Sequence, residues 1–369
     1  MRLTEIETLD EFDQALADGL SRLRGWHLHS VDLRERGTEL SRVVVAGAVF
    51  LGCRFADGDG PGSETDVRRR GALVFPGVPD VPFDPYRGEL YSPADLYDGL
   101  ADGYAGTPDA RAYAWSLAQR SLDRTLAAAL HDHAIDDALA EFTSDRVIVG
   151  VLGGHALRRD DPGYRAAAEL GRSLAGSFTV ATGGGPGAME AANLGAWFSR
   201  LDAGELDRAL EVLAAAPDFA GPGGIDAWAT AAFEVRDRWP LGAESLGIPT
   251  WFYGHEPPNA LASVIAKYFS NATREDVLLK ACRGGLVFLP GAAGTVQEIF
   301  QAACSNYYAA AAAVTPMVLV GREYWTGQVA VWELLESLAG GRPFGTRLAL
   351  VESPQEVLPL LVQPGGDRG

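Results

Sequence analysis

The stretch VIVGVLGGHALRRDDPGYRAAAELGRSLAGSFTVATGGGPGAMEAANLGAWF, residues 147–198, decides the fold. Val147–Leu152 is an apolar, β-branched run that ends in Gly153-Gly154, which reads as a buried strand and its turn. Pro162–Leu174 has apolar residues at helical spacing behind a proline suited to the first helical position. Phe178–Ala181 reads as a second strand, and Gly187–Phe198 as a second helix beyond the glycine cluster. Strand, helix, strand, helix in that order builds parallel neighbours covered by helices.

Downstream the alternation is interrupted by an alanine-rich, partly acidic excursion at about 201–239, read as a helical insertion, and then resumes. Strands are expected at Pro249–Tyr253, Gly285–Leu289, Met317–Val320 and Leu348–Val351. Helices are expected at Leu261–Phe269, Arg274–Cys282, Thr295–Tyr308, Val329–Leu338 and Pro354–Leu361. Upstream, Val43–Leu51 and Ala72–Phe75 read as strands and Pro93–Phe142 as helical, with no internal repeat. The expected fold is therefore α/β: a Rossmann-like parallel sheet with helices on both faces over 144–369, preceded by a smaller α/β domain over 1–143.

A net charge of −18 in a chain of 369 residues repels nucleic-acid backbones and anionic membranes, so neither is an expected partner and any phosphate must be held by a local site. Cys53, Cys282 and Cys304 show no metal-type spacing, and the acidic N-terminus resembles no secretory leader, so a cytoplasmic protein is expected. His131 and His133 sit two apart in helical sequence, where they do not share a face. They are read as surface residues, and no metal site is expected.

Two loops carry the chemistry. Thr182-Gly183-Gly184-Gly185-Pro186-Gly187-Ala188-Met189-Glu190 and Leu289-Pro290-Gly291-Ala292-Ala293-Gly294-Thr295-Val296-Gln297-Glu298 each follow a strand and open a helix. That geometry aims backbone N–H groups and the positive helix end at an anion. One such loop can be no more than a tight connection, but two at the carboxyl edge of one sheet point to a ligand. Gly153-Gly154 ends the first strand at the same edge, where its backbone and His155 can meet a base or ribose. Gly183, Gly185 and Ala188 also satisfy the dinucleotide pattern G-x-G-x-x-G/A, yet that pattern belongs on the first strand of its unit, and here a strand and helix precede it. The aromatic runs Pro82–Arg87 and Trp251–Pro258 are read as stacking surfaces for a base or as core. Glu298, in the first turns of its helix, is either close to the ribose of a bound nucleotide or a solvated glutamate, and Arg274 either meets phosphate or pairs with Glu275 or Asp276.

TGGGPGAMEAANLGA at Thr182–Ala196 and PGAAGTVQE at Pro290–Glu298 resemble the two signatures of the LOG family of nucleotide phosphoribohydrolases, also labelled lysine decarboxylase-like. The resemblance extends over about 144–369. It implies a homodimer that splits nucleoside 5′-monophosphates into free base and ribose 5-phosphate with no metal or cofactor, Glu298 and Arg274 being required for hydrolysis. Some relatives carry nucleotide-like cofactors instead, so a non-catalytic carrier is the alternative. Three departures stand out: Ala292 replaces a second glycine, Gln297 replaces a first glutamate, and Arg274 is one residue off the usual spacing. The expected site comprises Glu298 and Arg274 as catalytic groups, with Gly153, Gly154, Gly183, Gly184, Gly185, Gly187, Met189, Glu190, Pro290, Gly291, Gly294 and Thr295 binding substrate.

Overall fold

The structure is a computed structural model that describes residues 4–119, 121–220, 224–252 and 256–361. The chain is α/β, with two parallel sheets in two units. One unit runs to Glu89 and includes Leu117–Ala138; the other comprises Leu90–Ser116 and the chain from Leu139 on. A single cut at 143 is thus replaced by an exchange of segments.

In order along the chain, the first unit holds strands β1 (Thr4–Ile6), β2 (Trp26–His29), β3 (Val49–Leu51) and β4 (Leu73–Phe75), which pair in sequence. The second holds β5 (Ile148–Leu152), β6 (Thr179–Thr182), β7 (Ser245–Gly247), β8 (Val264–Ile265), β9 (Gly285–Phe288), β10 (Met317–Val320) and β11 (Leu348–Val351). Its order is β11-β10-β9-β5-β6-β7-β8, all parallel. From β5 the chain winds outward through β8, then returns to the other side of β5 as β9. Right-handed crossovers in the two directions put their helices on opposite faces. The reversal leaves a crevice beyond the carboxyl ends of β5 and β9, the place where open α/β sheets take ligands. Every residue of β5, β9 and β10 is buried, which explains why these strands read as unbroken apolar runs.

Expectation and structure part at short elements. The strand expected at Pro249–Tyr253 lies earlier, at β7; Pro249 offers no N–H to a ladder, and Thr250 makes only an isolated bridge to Tyr268. Tyr253 itself lies outside the described residues. The helix expected at Leu261–Phe269 is instead edge strand β8 in an irregular segment, a short buried run whose periodicity fits either state. The expected last helix is two 3-10 turns, Pro354–Glu356 and Leu358–Leu360, the second containing Pro359, whose missing N–H stops a continuous helix. The insertion holds helices Ala203–Ala214 and Gly224–Arg238. Among the described residues no helix is long and apolar enough to cross a membrane.

The first unit overturns the expectation of no internal repeat. Leu23, Trp26, Leu28, Val31 and Leu33 recur at one constant interval as Val45, Ala48, Phe50, Cys53 and Phe55, and all but the half-buried Trp26 are buried in one core. The two sets stack as successive coils, bridged at Arg22–Val44, His27–Val49 and Asp32–Arg54. Interval and pattern are those of a horseshoe-type solenoid coil, a strand followed by a helix. The Cys53 thiol donates to the Leu28 carbonyl of the preceding coil at 3.2 Å. His131 is buried in this unit rather than exposed, its ring edge-on to Phe83 and Nδ1 3.2 Å from Asp132.

Candidate functional site

Because β5 and β9 are parallel neighbours, their following turns lie side by side, and the Gly154 N–H donates to the Pro290 carbonyl at 3.1 Å. Over them opens a cavity of about 880 Å³. Gly153, Gly154, Met189, Pro290, Gly291, Gly294, Thr295, Arg274 and Glu298 all line it, so nine residues drawn from four separate segments converge there.

The floor contains the start of helix Ala293–Tyr308. No side chain caps it, and the first amide to bond back is that of Val296, to Ala292 O. The preceding amides therefore stand at the positive end of a four-turn helix on the cavity wall, the arrangement that binds oxyanions. Gly291 is required here by close approach: a Cβ would collide with the Thr295 hydroxyl. The Tyr324 hydroxyl holds the same turn by donating to Gly291 O at 2.9 Å. Ala292, which stands where the signature it resembles has glycine, has φ −88° and ψ −145°, a negative φ that does not itself demand glycine.

One turn into this helix, Glu298 is buried and meets the buried Arg274, Nη1 to Oε1 at 3.3 Å. Arg274 comes from helix Asn271–Ala281, whose N-terminus is capped by the Ser270 hydroxyl accepting from Thr273 N–H. Its Nη1 also lies 3.0 Å from Glu275 Oε2, though without hydrogen-bond alignment, and its Nε is buried with no partner. Two carboxyl groups thus share one guanidinium. Burial pushes the Glu298 carboxyl up to about 8, with Arg274 opposing and Glu275 reinforcing the rise. Glu275 was foreseen only as a surface partner; adjacency to Arg274 in a helix gave no sign that both are buried.

The first glycine loop is placed differently from expectation. The Gly184 N–H is already spent on Thr182 Oγ1 at 3.0 Å, and Asn259 ties the carbonyls of Gly184 and Gly185 at 2.8 and 3.0 Å. Gly184 has φ +71° beneath Pro249, and Gly187 has φ +72° against the Gly154 carbonyl, so both glycines answer close packing. Gly183 approaches the site, since a Cβ there would lie 3.8 Å from both Nη atoms of Arg274. Gly185 faces Met189, which lines the cavity. Glu190 turns away: Arg159 Nε donates to it at 3.0 Å and the Tyr164 hydroxyl at 2.9 Å, and with Gly187 it lines a smaller cavity of about 360 Å³. This loop is chiefly a wall; the uncapped helix N-terminus in the cavity follows the second loop.

Around the rim, His155 Nδ1 lies 3.3 Å from Glu256 Oε1. Of the aromatic runs, Trp251 is core, stacked on Phe269, with its N–H on Asp109 at 2.8 Å. Tyr253, Gly254 and His255 lie outside the described residues. Tyr86 is buried in the first unit.

Fold and cavity together define a Rossmann-like α/β protein with a cavity at its topological switch point. No protein-family model and no curated protein matches the chain. Among solved structures it is similar to the molybdenum cofactor binding protein from the phototrophic bacterium Rippkaea orientalis, with a TM-score of 0.35 and 16% identity over 58% of this chain and 95% of that one. A likeness that slight assigns neither family nor activity.

Proposed function

We propose that the second unit binds a nucleoside 5′-monophosphate and hydrolyses its N-glycosidic bond, the activity implied by the resemblance to the LOG family. The observation that carries this reading is the buried Arg274–Glu298 pair one turn from an uncapped helix N-terminus inside a single cavity. The phosphate takes the amides of Ala293, Gly294 and Thr295 with the Thr295 hydroxyl, which puts the ribose beside Glu298. Water adds its oxygen to C1′ as the C1′–N bond breaks and its electron pair leaves with the base. One water proton ends on the base, giving free base and ribose 5-phosphate. The transition state carries oxocarbenium character, which an ionised Glu298 stabilises while Arg274 orients the sugar phosphate.

A non-catalytic carrier on the same fold is the rival, and one observation favours it: with its pKa raised to about 8, Glu298 is largely neutral at pH 7. Incubation of the pure chain with AMP, CMP, GMP and UMP, with chromatographic detection of base, separates the two. Turnover of at least one nucleotide that is lost in Glu298→Gln and Arg274→Ala supports hydrolysis. Binding of nucleotide with no base released by any of them makes the chain a carrier.

A further inference from the structure

The first unit carries a second constellation, remote in chemistry from the cavity. Leu28 points into the solenoid core, so its neighbours His27 and His29 project from the opposite face of β2. Glu5 is the direct register partner of His27 on the adjoining strand β1. One ligand atom from each of Glu5, His27 and His29 can be chosen so that all lie within 4.8 Å of one another.

His29 supplies an independent sign. Its Nδ1 lies 3.1 Å from the Tyr86 carbonyl, which can only accept, so the ring proton sits on Nδ1 and the lone pair on Nε2. That Nε2 is buried, has no hydrogen-bond partner, and lies 3.7 Å from Glu5 Oε2. A buried acceptor left unbonded calls for an explanation. An imidazole whose other nitrogen donates to a backbone carbonyl is the usual form of a metal-ligating histidine.

We propose that Glu5, His27 and His29 bind one Zn²⁺ ion, leaving its fourth position to water or an exogenous ligand. Two imidazoles and a carboxylate suit Zn²⁺, whereas Ca²⁺ and Mg²⁺ take oxygen ligands. Four-coordinate zinc with bonds of about 2.1 Å places its ligands roughly 3.4 Å apart. Glu5 and His27 are half-buried while His29 is buried, so closing from 4.8 Å to that spacing falls to the two outer side chains. The ligands stand on the paired strands β1 and β2, so the ion ties β1 to the coil that carries β2.

The test uses the full chain in a Cys304→Ser background, which removes an exposed thiol that could also take zinc. After chelation and dialysis, Zn²⁺ is titrated calorimetrically, and Co²⁺ serves as a visible probe of tetrahedral geometry. One ion per chain is expected, with affinity lowered at least a hundredfold in His27→Ala and at least tenfold in Glu5→Gln, and with loss of the cobalt d–d absorption in His27→Ala. Because His29→Ala removes a buried side chain and can unfold the unit, the two half-buried positions carry the test, with circular dichroism confirming their fold. Absence of saturable Zn²⁺ binding in the parent chain, or the same affinity in both folded variants, overturns the proposal.

Discussion

At Glu298 the carboxyl has lost water and shares its one guanidinium with Glu275. Folded, it keeps its proton up to about pH 8; unfolded, it releases it near 4.5. Between those values the folded state binds the additional proton, so this group's contribution to stability is lost as pH rises through the window. The melting temperature should fall between pH 6 and pH 9 in the parent chain and fall less in Glu298→Gln, which cannot ionise; identical pH slopes would place the raised carboxyl elsewhere. If the ionised form acts at the ribose, kcat/KM rises with pH to about 8 and levels off, since that parameter reports the free enzyme. A fall through the same pH would make the carboxyl an acid instead of an electrostatic stabiliser. Residue identities at this scale were half legible. Glu298 stood in a motif of fixed spacing, but the burial of Arg274 and Glu275 depends on β5 and β9 being neighbours, which no local pattern encodes.

The helix Ala293–Tyr308 is the element on which binding turns. Ala293 is its first residue, a position that favours proline because the missing N–H takes no part in the helical hydrogen bonds. Ala293→Pro should therefore fold normally while deleting one amide from the anion site. A hydrogen bond to a charged group is worth about 1.5–3 kcal/mol, so monophosphate affinity should drop roughly ten- to a hundredfold with an unchanged melting temperature. Undiminished affinity would remove that amide from the phosphate site. Gly291→Ala is the contrasting case: its methyl meets Thr295, and stability should fall by about 1–3 kcal/mol in a denaturant titration. Elements with an unbroken apolar run between loop residues were readable, as β10 and β11 were to the residue. The solenoid coils were not, because Trp26, Ala48, Val31 and Cys53 occupy positions where leucine would have made the repeat visible. The glycines of the first loop misled for a related reason, since tight packing and anion binding demand the same residue.

At the scale of the whole molecule, the helix Ala293–Tyr308 buries Ile299 and Ala303 but leaves Cys304, Ser305 and Tyr308 exposed, the last at 81%. We propose that this face joins two copies of the chain. Light scattering at micromolar concentration should give twice the monomer mass, and Tyr308→Glu should give the monomer; a monomeric parent chain contradicts the assignment. A net charge of −18 makes the local anion site the decisive feature for any phosphate ligand. The central claim is that the cavity recognises the phosphate of a nucleotide it hydrolyses, and comparison of kcat/KM for a nucleoside monophosphate with that for its nucleoside tests it most directly. Loss of two or three charge-assisted hydrogen bonds predicts a preference of about a thousandfold or more for the monophosphate, with the triphosphate also poorer. Equal values for AMP and adenosine would show that the helix end and its loop bind no phosphate, and would contradict the account.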